Sequence, residues 1–318
     1  MKCLAVVGWA AVLLSSCSPA TPAPSAGNRP HVVPAEVPVV FSDLAPTPEE
    51  TAWRQGRLST ETPLRAATIH VAGTFEEAPD GKRSGLDYEM VKDFARVLGL
   101  PLELTVPHDL TRFFSHNGVI PRDVETNTSL TYTPDLLRTV DLYIGPFSVL
   151  PWRERLMTIV PLYPMQNFLA GRKGEEIRSV SQLNGKRLTV LKDSMQDNLL
   201  RNLASRENLT FQFRYSRPED DLFAAVAEGK ADYTLDGALF FAQNRAKMQG
   251  LSLSPFPSDP VRVGWCLKKD DTVLAGLVRK YLTKIQENGA FVRWFESAYG
   301  TSFSDYLSLL ATALEPSR

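Results

Sequence analysis

The chain has 318 residues, 43% of them hydrophobic, which is enough apolar material for one large core or two modest ones. A net charge of -1 carries no basic or acidic excess, so neither nucleic acid nor an anionic membrane surface is favoured as a partner. Three cysteines, Cys3, Cys17 and Cys266, make no disulfide framework.

Lys2 is followed by an apolar run from Leu4 to Leu14 and then by small residues before Cys17. The run is too short to span a bilayer as a mature helix and has the layout of a secretory signal. Leu14-Ser15-Ser16-Cys17 resembles the bacterial lipobox, in which the thiol is lipidated and the peptide is cut just before it; the alternative is an ordinary signal with an incidental cysteine. Residues 1–16 are therefore expected to be a signal peptide and Cys17 a lipid-bearing N-terminus on the periplasmic side of the envelope. Ser18 after the cysteine resembles lipoproteins sent to the outer membrane. Residues 17–48, rich in Pro, Ala and Ser without apolar periodicity, are expected to form an extended tether.

Thr47-Pro48-Glu49-Glu50 has a capping residue, a proline and two acids in the order that starts a helix, which is expected to end before Ser59. A β-type run, ATIHVAG, begins at Ala67 and leads through a polar loop to an amphipathic helix near Leu86. Met90, Val91, Phe94, Ala95 and Leu98 fall on its apolar face, Asp87, Lys92, Asp93 and Arg96 on the polar one, and Gly99 stops it. The next strand, PLELTV, completes a β-loop-α-β unit, so the sheet is expected to be mostly parallel, with ligands beyond the carboxyl ends of its strands. The long loop from Pro107 to Tyr132 shows no usable spacing, and Thr133-Pro134-Asp135 can cap a short helix.

From Asp141 to Pro164 the chain reads as a buried strand, a turn around Pro151, two arginines (Arg153 and Arg155) and a second apolar strand ending at Tyr163. A fixed guanidinium beyond a strand end can serve an anion, but this stretch alone fits solvated turn arginines better. A second α/β set follows: the strand RLTVL, a helix opened by Asp193-Ser194, the strand LTFQFR, a helix from Asp220 to Glu228, and ADYTLDGALFF. Ser194 either offers an anion its hydroxyl and neighbouring N–H groups or simply caps the helix. VRVGWCLKK returns to strand, with Cys266 as a small core residue, before a helix bearing Leu277, Val278, Tyr281, Leu282 and Ile285.

No Gly-x-Ser-x-Gly elbow, phosphate-cradling glycine loop or His/Cys metal spacing is present, and His70, His108 and His116 are scattered. The acids Glu76-Glu77 and Glu219-Asp220-Asp221 sit in polar loops and fit a solvated surface better than an acid/base pair. No enzymatic activity, cofactor or metal is expected.

In order, GLDYEMVKDFARVLGL, DLYIGPFSVLPWRERLMTIVPLY, QLNGKRLTVLKDSMQDNLL, AEGKADYTLDG, VGWCLKKDD and ENGAFVRWFESAYG resemble the family 3 extracellular solute-binding proteins over about Ala67 to Gly300. GWCLKKDD and AYGTSFSDYL look most similar to the solute-binding-like domain of membrane-bound lytic murein transglycosylase F, whose catalytic domain is not expected here. The resemblance implies an α/β, two-lobed clamp of the periplasmic-binding-protein type II kind with two interlobe crossings, spanning 49–318. Lobe 1 would hold about 67–162 and 261–318, lobe 2 about 167–251, with hinges near 163–166 and 252–260.

In amino-acid binders of that family an arginine after the central strand grips the ligand carboxylate, a position that falls on Arg153. The family's helix N-terminus in the second lobe maps to Asp193, Ser194 and Met195, with Asp193 standing where glycine is usual. Its acidic partner for the ligand amine has Asp236 as nearest match, one residue early, and Phe75 is either a ligand-stacking ring or a core aromatic. The implied function is binding of a small carboxylate-bearing ligand, such as an amino acid, small peptide or cell-wall fragment, for uptake or sensing. A membrane permease, a sensor or a lytic enzyme would be the protein partner. The rival is an envelope regulatory or interaction protein whose clamp docks a partner instead.

Overall fold

Strand-forming and helix-forming runs alternate along the chain, and a computed structural model shows them sorted into two five-stranded sheets. The structure describes residues 38–192, 194–216, 221–256 and 260–314. The expected signal peptide, Cys17 and Asp193 lie outside these residues.

The first lobe contains α1 (Pro48–Ser59), β1 (Leu64–Ala67), the short pair β2 (Glu76–Glu77) and β3 (Arg83–Ser84), α2 (Leu86–Leu98), β4 (Leu102–Thr105), β5 (Leu142–Ser148), α3 (Pro151–Leu156) and β6 (Met157–Met165). The second contains β7 (Asn167–Arg172), β8 (Arg187–Leu191), α4 (Met195–Glu207), β9 (Gln212–Ser216), α5 (Leu222–Ala227), β10 (Tyr233–Gly237), α6 (Ala238–Gln243) and β11 (Leu251–Pro255). The chain then returns to the first sheet as β12 (Val261–Lys268), followed by α7 (Thr272–Glu287), α8 (Ala290–Tyr299) and α9 (Phe303–Leu314). Sheet one runs β4-β1-β5-β12-β6, with β1 parallel to both neighbours and β12 antiparallel to both of its own. Sheet two runs β11-β7-β10-β8-β9, parallel across β10, β8 and β9.

Two segments join the lobes side by side. Gln166 separates β6 from β7 and donates through Nε2 to the carbonyl of Phe256, at the end of β11, at 3.0 Å. Phe256 returns its own N–H to Asn167 at 3.0 Å.

Aromatic burial on one face holds the first lobe. Trp265 on β12, Phe94 on α2 and Tyr281 on α7 are fully buried, with Phe94 and Tyr281 ring centroids 4.9 Å apart. Each such side chain contributes roughly 1.5–3 kcal/mol by leaving water. Gly264 makes the layer possible, because a Cβ there would lie 2.0 Å from the Val160 carbonyl oxygen of β6. On the opposite face Phe113, Phe114, Val124 and Leu137, from the long β4–β5 connection, pack against Tyr143, Phe147 and Cys266.

Four expectations change. The first strand lies at Leu64–Ala67 rather than from Ala67 onward, because Leu64 and Ala66 supply its buried face. Asp87, placed on the polar face of α2, is 1% exposed and accepts the Trp265 indole N–H at 2.6 Å. The turn at Pro151 is the helix α3, with proline at a first-turn position where its missing N–H costs nothing. The expected tether ends sooner than residue 48, since Val39 and Leu44 are buried against the first lobe.

Candidate ligand-binding site

The second lobe places polar groups at the carboxyl ends of its parallel strands. β8 leads through Ser194 into α4, and β10 ends on Asp236 before α6. Ser194 is the N-cap of α4, its Oγ accepting the Asp197 N–H at 3.1 Å. Between these strand ends lies a cavity of about 370 Å³, lined among others by Ser194, Gln196, Asp221, Asp236, Phe240 and Lys247. That volume suits a small metabolite.

Asp236 is the central group. Its Oδ1 accepts the Gly237 N–H at 2.7 Å and the Gln196 side-chain N–H at 3.0 Å, while Oδ2 takes no hydrogen bond among the described residues. Burial pushes the carboxyl up to about 6, against the opposing pull of those two donors. A partly desolvated carboxylate with one free oxygen on a cavity favours a cationic group such as an ammonium. Asp221 spends its Oδ1 on the N–H groups of Phe223 and Ala224 at the start of α5, at 2.9 and 3.1 Å.

The first lobe holds the sequence-predicted arginine in a different setting. Arg153 lies on α3 with its guanidinium carbon 4.8 Å from the Phe114 ring centroid and 5.1 Å from that of Trp152. Nη1 donates to the Ser148 carbonyl at 3.3 Å, and Nε is buried without a hydrogen-bond partner. No carboxylate pairs with it among the described residues, and burial lowers its pKa. A desolvated guanidinium with no ion-pair partner among the described residues is a ready donor to an anion. Its neighbour Arg155 is structural, donating to the carbonyls of Val124 at 2.7 Å, Asn127 at 3.0 Å and Leu130 at 3.4 Å.

The structure thus brings Ser194 and Asp236 to one cavity, and Arg153 lines none of the three cavities described. Phe75 is completely buried, with its ring centroid 5.1 Å from His70 and 6.0 Å from Tyr88, so it has no face for a ligand in this arrangement. Sequence reasoning missed Gln196, Phe240 and Lys247. Gln196 carried a signal, two residues after the capping Ser194, whereas Lys247 reaches the cavity only through the packing that follows α6.

No family model matches the chain. Solved structures do. An ancestral amino acid-binding protein described as a precursor of cyclohexadienyl dehydratase matches with a TM-score of 0.53 and 17% identity, over 78% of this chain and 99% of its own. A putative L-cystine ABC transporter protein from Listeria monocytogenes matches with a TM-score of 0.52 and 20% identity, over 76% and 98%. A protein from Bacillus subtilis matches with a TM-score of 0.58 and 16% identity, over 77% and 92%. The chain has the fold of a two-lobed type II periplasmic binding protein. Its clamp carries the lobe 2 cavity at the carboxyl ends of β8 and β10, where open α/β sheets hold their ligands.

Proposed function

We propose that the clamp binds a small zwitterionic ligand, an amino acid, with the ammonium on Asp236 and the carboxylate on Arg153 after the lobes close. The observation that carries this reading is that Asp236, whose Oδ2 takes no hydrogen bond among the described residues, lines a cavity of about 370 Å³ with Ser194 and Gln196. Structural neighbours described as amino acid-binding, one of them bound to L-arginine, support the ligand class. Delivery to a membrane permease or a sensor follows from that class. Anchoring through Cys17 on the periplasmic side, at the outer membrane, completes the proposal; labelled palmitate that still enters Cys17→Ser protein would refute it.

A thermal-shift screen of amino acids tests the ligand. A compound at about 100 times its Kd stabilises the folded state by about 2.7 kcal/mol. The expected result is a shift with at least one amino acid that disappears in Asp236→Asn and in Arg153→Ala.

The position of Arg153 outside the described cavities favours a second reading: an envelope regulatory protein of the kind seen in the lytic transglycosylase F domain, docking a lytic enzyme. Muropeptides and amino acids would then all leave the melting temperature unchanged.

A further inference from the structure

The long connection between β4 and β5 has no regular spacing, yet it brings one ring to a defined place. Phe114 is 4% exposed. Its carbonyl accepts the Tyr132 hydroxyl at 2.7 Å, and its N–H donates to the Thr111 carbonyl at 3.1 Å. The ring stands edge-on to Phe147 of β5, with centroids 6.2 Å apart, and to Trp152 of α3, at 5.1 Å. Farther along, Arg155 ties down the same connection through the carbonyls of Val124, Asn127 and Leu130.

Phe114 and Trp152 make a corner of two rings inclined at 63°. The Arg153 guanidinium sits in that corner, its carbon 4.8 Å from one centroid and 5.1 Å from the other. A ring attracts a cation through its quadrupole and offers no lone pair, so it holds the guanidinium without spending N–H groups. Among the described residues only Nη1 is engaged, by the Ser148 carbonyl at 3.3 Å. A long arginine side chain loses rotamer freedom when it grips an anion, and one that is already seated loses less.

We propose that Phe114 is a positioning residue for ligand binding. With Trp152 it fixes the Arg153 guanidinium where the ligand carboxylate arrives, and the β4–β5 connection serves to carry it there. This rests on Arg153 as the grip on the carboxylate, and it assigns a role to the one long segment of lobe 1 that has no period of its own.

Two measurements on Phe114→Leu, which fills apolar space without a ring, and Phe114→Tyr, which keeps one, test this. The first needs no ligand: in a chain labelled with ¹⁵N-arginine, the Arg153 Nε–H cross-peak is assigned by its loss in Arg153→Lys. The peak is expected to move in Phe114→Leu, as the ring current is lost, and to return close to its wild-type position in Phe114→Tyr. A peak unmoved in folded Phe114→Leu overturns the proposal. The second is calorimetric titration with an amino acid that shifts the wild-type melting temperature. Phe114→Leu is expected to bind it about fivefold more weakly or worse, with binding restored in Phe114→Tyr. Binding by Phe114→Leu as tight as wild type, or tighter, overturns the proposal, the tighter result because the ring would then obstruct the arginine. Should the cross-peak behave as expected while no amino acid binds the wild-type chain, the ligand reading fails and the corner is structural only.

Discussion

Two buried acids, one in each lobe, look alike in isolation and differ in what surrounds them. Burial pushes Asp87 up to about 7 and Asp236 up to about 6, and each receives a hydrogen bond on Oδ1 from a nearby side-chain N–H. Asp87 is closed in by the core layer of Trp265, whereas Asp236 lines a cavity. A shifted pKa therefore reports burial, and a place on the wall of a cavity is what makes a buried acid a candidate ligand contact. By the same measure Arg153 differs from Arg155: one guanidinium is stacked on aromatic rings and has no ion pair among the described residues, the other is spent on three carbonyls.

The contrast can be broken most severely from the lobe 1 side. Trp265→Ala should cost about 3–5 kcal/mol in chemical denaturation, because it opens the aromatic layer and strips Asp87 of its donor. A loss under about 1 kcal/mol would mean that the layer is not a packed core.

Asp87→Asn acts through pH. The folded carboxyl keeps its proton to about pH 7, whereas the unfolded chain releases it near the ordinary value of 3.8. Between those values the folded state binds one more proton, so stability falls as pH rises through the window and levels off above it. A shift of about three units corresponds to roughly 4 kcal/mol at most. The asparagine variant should lose that slope in urea titrations at pH 4.5 and 8, and a slope equal to wild type would place the proton elsewhere.

The smallest effect belongs to Arg155→Ala. Losing its carbonyl contacts should cost about 1–3 kcal/mol and raise hydrogen exchange between Val124 and Leu130, leaving lobe 2 unaltered. Exchange that rises equally in both lobes would contradict a local role.

Much of this was legible in the sequence because it is periodic. The apolar spacing of α2 and α7, the caps at Thr47 and Ser194, and the strands around Arg153 all follow from local rules. The β6–β7 crossing is harder to see, since Gln166 is the lone residue between two strands and PLYPMQNFLAG reads as one apolar run. The loop before β5 has no period because Phe113, Phe114 and the carbonyls held by Arg155 order it through tertiary contacts. Asp87 misled for a similar reason: its helical position is polar by pattern, and only β12 carries the indole that buries it. Asp236 and Ser194 were findable as strand and helix ends, but Lys247 and Phe240 join them only once α4, α5 and α6 are packed.

The most direct measurement is calorimetric titration of the intact chain with individual amino acids, repeated with Asp236→Asn. One amino acid should bind at one site per chain, and the variant should hold it at least tenfold more weakly, about 1.4 kcal/mol. An amino acid bound as tightly by Asp236→Asn, or no heat with any of them, would contradict the account.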